Sequence, residues 1–281
     1  MRFIRTIQGL GCAAALAAGT VVLIPLTAQA AGVACNETAL VAAINAANAA
    51  HGGNVVLTPG CTYILTRSHA TGAHGPDGLP VITSVVTLTG DNNTITRSVA
   101  GGAFRIAEVS RTGNLTVKHV TLSNGRAVGA GGGILNFGAV TLTGSALTNN
   151  TASGTGGGLS NADVPAPGTG TAATFTSSTV SGNTASGRGG GLYNGLRGTL
   201  TTTSSSVTTN RSLVARGGGI AAINSTATTL TSTPVTANTA APGAGGVFRL
   251  GGTMTITTSP ITGNAPNNCV GSSPSVPGCT S

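Results

Sequence analysis

The chain has 281 residues, of which 6% are charged and 2% aromatic; it contains no Trp and 45 Gly. Such a composition does not describe a compact domain built on large aromatic and aliphatic side chains. It leaves disorder, or a repetitive β architecture of small residues, and periodicity separates the two.

Residues 1–30 read as a secretory signal peptide. Arg2 and Arg5 give a positive start, Cys12 to Leu26 an apolar run broken late by Pro25, and Ala28-Gln29-Ala30 a small-residue cleavage site. The run is short for a bilayer span, and Cys12 precedes it, unlike a lipoprotein cysteine. No later segment is apolar enough to form a transmembrane span. The expectation is a chain that is secreted or held at the cell surface by contacts. Loss of Arg2 and Arg5 takes the formal charge from +8 to +6.

Residues 31–281 read as one domain. Cys35, Cys61, Cys269 and Cys279 lie near its two ends, an even number that suits disulfides in an exported chain. The simplest pairing is by proximity, Cys35–Cys61 and Cys269–Cys279. Metal binding fits poorly, since the spacings are wide and no His lies near the C-terminal pair. No cofactor is implied.

Residues 36–50 are the one convincing helical stretch, Ala-rich with Leu40, Val41, Ile44 and Ala47 along one side and Asn36 placed to open it. It leads into Val55-Val56-Leu57, a first strand. A Cys35–Cys61 bond would fasten helix to strand and contribute roughly 3 kcal/mol in the chain-entropy account. A solenoid end needs such a cap, because an open sheet edge invites pairing.

Next come the carboxylates and histidines. His69, His74 and Asp77 crowd a loop, where two imidazoles and an acid could hold a metal or act as acid and base; a solvated loop is the plainer reading. Asp91 and Glu108 fall on neighbouring early rungs and could approach each other. His51 and His119 stand alone.

From residue 131 onward the chain repeats. Gly131-Gly132-Gly133-Ile134-Leu135-Asn136 returns at 156–161, at 189–194, at 217–224 with two extra residues before Asn224, and weakly at 245–248. A second mark, aliphatic–Thr/Ser–x–Asn, ends at Asn150, Asn183, Asn210, Asn238 and Asn264, which are 33, 27, 28 and 26 residues apart. Between the marks lie alternating runs such as Val140-Thr-Leu142-Thr and Met254-Thr-Ile256-Thr, the pattern of strands with one buried face. A rung of about 25–30 residues holding three short strands suits a coil that winds once per repeat. Rungs stacked about 4.8 Å apart would align equivalent residues in columns. Ile134, Leu159, Leu192, Ile220 and Val247 become a buried column; Asn136, Asn161, Asn194 and Asn224 become an amide ladder. Leu135, Ser160, Tyr193 and Phe248 are expected to face outward, or to pack under a turn. The fold class is therefore all-β, a parallel β-helix solenoid with a short N-terminal capping helix, closed at 265–281 by the second disulfide.

The glycine runs are not nucleotide loops. None ends in Gly-Lys-Ser/Thr, and no helix follows them. Arg188 and Arg216 each precede a glycine run on successive rungs, and Arg126 and Arg211 follow the Asn mark. Aligned like charges on a solenoid read either as a solvated edge or as an anion-binding stripe. Asp163 lies in an insert that lengthens one repeat to 33 residues.

The segments GGNVVLTPGCTYIL and GLPVIT and the repeated GGG-(Ile/Leu)-x-Asn, spanning about 35–281, resemble secreted bacterial right-handed parallel β-helix proteins of the pectin-lyase-like type. They also resemble polymorphic outer-membrane-protein repeats, except that the aromatic often found before x-x-Asn is aliphatic here. The resemblance implies right-handed coiling. It also raises polysaccharide lyase or hydrolase activity, which would use Asp91, Glu108 or the His69–His74 loop. Yet only Asp163 falls in the clear repeats, so no acid pair marks a site there. The expected function is a non-catalytic surface or matrix protein binding acidic polysaccharide or an envelope polymer, with Arg126, Arg188, Arg211, Arg216 and Tyr193 as ligand-binding candidates. Nucleic acid is disfavoured by export and the scarcity of aromatic stacking platforms. A self-associating rod is a third expectation.

Overall fold

The computed structural model describes residues 32–72, 74–161 and 170–280. The signal-peptide reading, and the insert that carries Asp163, lie outside the described residues. From Gly32 the chain forms a parallel β-solenoid preceded by one helix, Glu37–Ala49. Asn36 caps that helix, its Oδ1 accepting the Ala39 N–H at 2.9 Å. Leu40, Ile44 and Ala47 are its buried side and pack on the first strands. Both disulfides, Cys35–Cys61 and Cys269–Cys279, are formed. No helix among the described residues is long and apolar enough to cross a membrane.

One rung shows the plan. It has four strands, Ala139–Thr143, Ala146–Thr148, Thr151–Ala152 and Leu159–Asn161. Each pairs in parallel with its counterparts on the rungs before and after. The first two strand positions share one large sheet; the third and fourth form separate six-stranded sheets. Period-two alternation explains the faces: Val140, Leu142 and Leu147 are buried, with Thr residues between them outside.

The rung turns twice on left-handed residues. His119, Gly144, Ser177, Ser204, Ser232 and Thr258 hold positive φ at the first corner, and Asn124, Asn149, Gly182, Thr209, Ala237 and Gly263 at the second. The residue after each corner points inward and closes a polar ladder. After the first corner it is Ser145, Ser178, Ser205, Thr233 and Ser259, each hydroxyl accepting a backbone N–H from the preceding rung. After the second it is Asn150, Asn183, Asn210, Asn238 and Asn264. Their amides donate rung to rung at 3.0, 2.9, 3.0 and 3.0 Å, and the column continues to Asn268 Oδ1 at 3.0 Å. Each Oδ1 also accepts a backbone N–H, so the buried amides are satisfied.

The amide ladder expected at Asn136, Asn161, Asn194 and Asn224 is present for three rungs, with donor distances of 2.8 Å. Asn224 is not in it. The sheet register sets Ala222 opposite Asn194, while Asn224 is exposed at φ 48°. The two extra residues in that repeat carry Asn224 past the column, and Thr228 Oγ1 takes the last amide at 2.9 Å instead.

The glycine runs are the third turn. A Cβ on Gly157 would lie 2.3 Å from the Gly190 carbonyl oxygen and 2.5 Å from that of Thr184, so the rungs approach there as only glycine permits. The N–H groups of Gly156, Gly157 and Gly158 donate to Arg188, Gly189 and Gly191 carbonyls on the next rung. None is left to cradle a phosphate.

Candidate functional site

The fourth strand position puts Glu108, Leu135, Ser160, Tyr193, Ala221 and Phe248 in one column on its outer side. This column was expected to face outward, and most of it is covered: Ser160 is 0% and Phe248 3% exposed, and only Tyr193 is half-open. The turn leading into each glycine run folds over it, as the Thr155 hydroxyl 3.3 Å from that of Ser160 shows. Ordinary packing under a turn accounts for the column.

On two rungs that cover is arginine. The guanidinium carbons of Arg188 and Arg216 lie 5.9 and 5.3 Å from the Phe248 ring centroid. The ring's negative face attracts both cations and holds them together against their mutual repulsion. Arg216 Nη1 also donates to the Gly271 carbonyl at 3.2 Å. No described carboxylate pairs with either arginine. Tyr193 lies beside them: burial pushes its phenol pKa up, and the Arg188 charge pulls it partly back. The patch thus offers two oriented cations and one half-open phenol on adjoining rungs.

Arg126 and Arg211 do not join this patch. They are exposed in the third strand position, in a register column separated by Thr151 and Thr184. Three strand spacings, roughly 14 Å, part the two.

The acidic residues form a different centre. Arg105 Nη1 donates to Asp77 Oδ1 at 2.6 Å and to Glu108 Oε2 at 3.2 Å; its Nη2 donates to the His74 carbonyl at 2.5 Å. His74 Nδ1 lies 3.1 Å from Glu108 Oε1, and its ring leans on Phe137 at 4.4 Å. Arg105 is 1% and Asp77 0% exposed. Burial raises the Asp77 pKa to about 6, against the pull of Arg105. The His69–His74 loop is an antiparallel hairpin, Ala70–Gly72 with Gly75–Asp77, and this cluster holds it onto the solenoid. His69 anchors its other side, Nε2 lying 2.7 Å from Glu37 Oε1 on the capping helix.

Asp91 and Glu108 lie on different sheets. Asp91 lines an open groove of about 370 Å³ at the first corner, with His119, Thr121, Ser177 and Thr179. Among the described residues no group of three or more His, Cys, Asp or Glu could hold a metal. Arg105 was missing from the sequence reading; its signal was a lone charge three residues before Glu108 in an apolar stretch. No protein-family model, no curated protein and no solved structure matches the chain.

Proposed function

We propose that this β-solenoid is an exported, non-catalytic protein of the cell surface or extracellular matrix. Its role is adhesive or structural, and it binds acidic polysaccharide or another anionic envelope polymer. The observation that carries this reading is the Arg188–Phe248–Arg216 stack, two cations fixed side by side with no carboxylate partner among the described residues. Carboxylates or sulfates repeated along a polymer suit such a pair. Two disulfides and a leader-like N-terminus support export. The sequence resemblance to pectin-lyase-like and polymorphic outer-membrane-protein repeats supports the same setting.

The test is retention on immobilised polygalacturonate and heparin across a salt gradient. Retention that weakens with salt and falls in Arg188→Ala/Arg216→Ala supports the reading. Absence of retention on every acidic polymer overturns it.

The lyase or hydrolase alternative would rest on Glu108, His74 and Asp77. Both carboxylates engage the same Arg105 nitrogen, and Asp77 is closed to solvent, so the cluster is better suited to holding the hairpin than to meeting a substrate. Release of reducing or unsaturated sugar ends, lost in Glu108→Gln, would favour the alternative.

A further inference from the structure

The first strand position carries a pattern that anion binding does not use. Of its three outward columns, one is mixed, running Val85, Asn114, Ala139, Ala172, Thr199, Ala227 and Thr253, and the other two form parallel threonine ranks. One rank is Thr87, Thr116, Thr141, Thr174, Thr201, Thr229 and Thr255, paired rung to rung without a break. The other is Thr89, Lys118, Thr143, Thr176, Thr203, Thr231 and Thr257, two residues further along each strand. The adjoining second strand position has one hydroxyl column, Ser123, Thr148, Ser181, Thr208, Thr236 and Thr262, beside a mixed one, Thr121, Ala146, Thr179 and Ser206, so it offers no pair of ranks. Strand propensity alone would admit Val or Ile at every one of these positions. Threonine is kept in both ranks, with Lys118 the one departure.

Apart from Thr89, which donates to Asn54 Oδ1 at 2.8 Å, no side-chain hydroxyl in either rank bonds another protein group among the described residues. By contrast, the inward Ser and Asn side chains that follow the two corners are tied into ladders. The ranks therefore present free hydroxyls and methyls on a grid. Its spacings are about 4.8 Å between rungs and about 6.6 Å between ranks. The β-branched side chain is stiff at χ1, and the stacked register holds each copy alike, so the grid is ordered before anything binds.

We propose that this face binds the surface of an ice crystal. A rectangular net of hydroxyls and methyls with these repeats resembles the oxygen net on the faces of hexagonal ice, and no anionic or aromatic group interrupts it. Waters held between the ranks would be positioned as ice positions them and would join the lattice. A bound protein would then pin the growth front, which must bulge between pinned points and so freezes at a lower temperature. With Lys118 as its one charge, the grid would be a poor receptor for an acidic polymer, so this inference stands apart from the arginine patch.

The experiment uses the purified protein with an ice hemisphere grown in its solution and with nanolitre osmometry. Incorporation of labelled protein into ice, faceted crystals and a freezing point held below the melting point are expected. Thr174→Lys and Thr201→Lys should lose all three with unchanged circular dichroism and melting temperature. Thr208→Lys, the same charge change on the adjoining face, should keep them. Exclusion of the wild-type protein from ice overturns the proposal. So does wild-type dimerisation that Thr201→Lys abolishes without any ice effect, since the face would then be a contact between copies. Retention on acidic polymers is unaffected by Thr201→Lys in either case.

Discussion

Arg105 and Asp77 form a buried ion pair in which the carboxylate is still the weaker ion. One oxygen, Oδ1, takes the guanidinium at 2.6 Å, while Oδ2 is buried with no partner. Burial therefore outweighs attraction, and the pKa rises from an ordinary 3.8 to about 6. The folded chain holds this proton more tightly than the unfolded chain. The associated stability is complete below pH 3.8 and is lost as pH rises through about 6. That loss is on the order of 3 kcal/mol. Asp77→Asn is expected to flatten this part of the stability–pH curve, measured by urea unfolding at pH 4 and pH 7. An unchanged slope would assign it elsewhere.

The asparagine column should be the least tolerant polar feature. Removing the Asn183 side chain takes the acceptor from the Asn150 N–H and from one Asn150 amide hydrogen, and one donor each from the Leu147 carbonyl and the Asn210 oxygen. Asn183→Ala is expected to cost about 2–4 kcal/mol. Asn224→Ala, off the ladder and exposed, should cost only about 1 kcal/mol, the strain of Ala at a positive φ. Thermal unfolding of the two variants checks the contrast.

Glycines should separate in the same way. Gly157→Ala drives a methyl into two carbonyl oxygens of the neighbouring rung and is expected to cost at least about 3 kcal/mol, or to prevent folding. Gly102→Ala meets nothing within 4 Å and should be nearly neutral. Equal losses in the two would refute the close-approach account of the glycine run.

Phe248 fixes the geometry of the two arginines without itself meeting solvent. Phe248→Leu is expected to weaken salt-sensitive retention on an acidic polymer several-fold while the net charge stays constant. Arg126→Ala, on the separate column, should have a smaller effect. Equal effects would mean that only total charge matters.

The coil, the helix cap, both disulfides and the aliphatic column were legible because each rests on spacing along the chain. Periodicity shows which residues align, and alternation shows which face is buried. Two features resisted. Asn224 carries the motif residue, yet two inserted residues shift it off the column, and motif matching does not register so small a slip. Leu135 and Phe248 alternate as outward residues should, yet both are buried, Phe248 under arginines from earlier rungs. That cover is tertiary, and local alternation carries no trace of it. The Arg105 centre was half legible: Glu108, His74 and Asp77 stood out as chemistry, but the arginine joining them reads locally as an isolated surface charge.

The asparagine column also has a direction. Between asparagines, every amide-to-amide bond runs from the N-terminal to the C-terminal rung, while the second N–H of each donates back to a carbonyl of the preceding rung. Both ends are closed within the chain. The Gly125 N–H donates to the first oxygen, on Asn150, and the last donor, Asn268 Nδ2, is taken by the Thr280 carbonyl at 3.0 Å. A second molecule could extend the row only head to tail, and only by displacing the Thr280 carbonyl. The polarity of the row is thus met at both ends by backbone groups of the same chain.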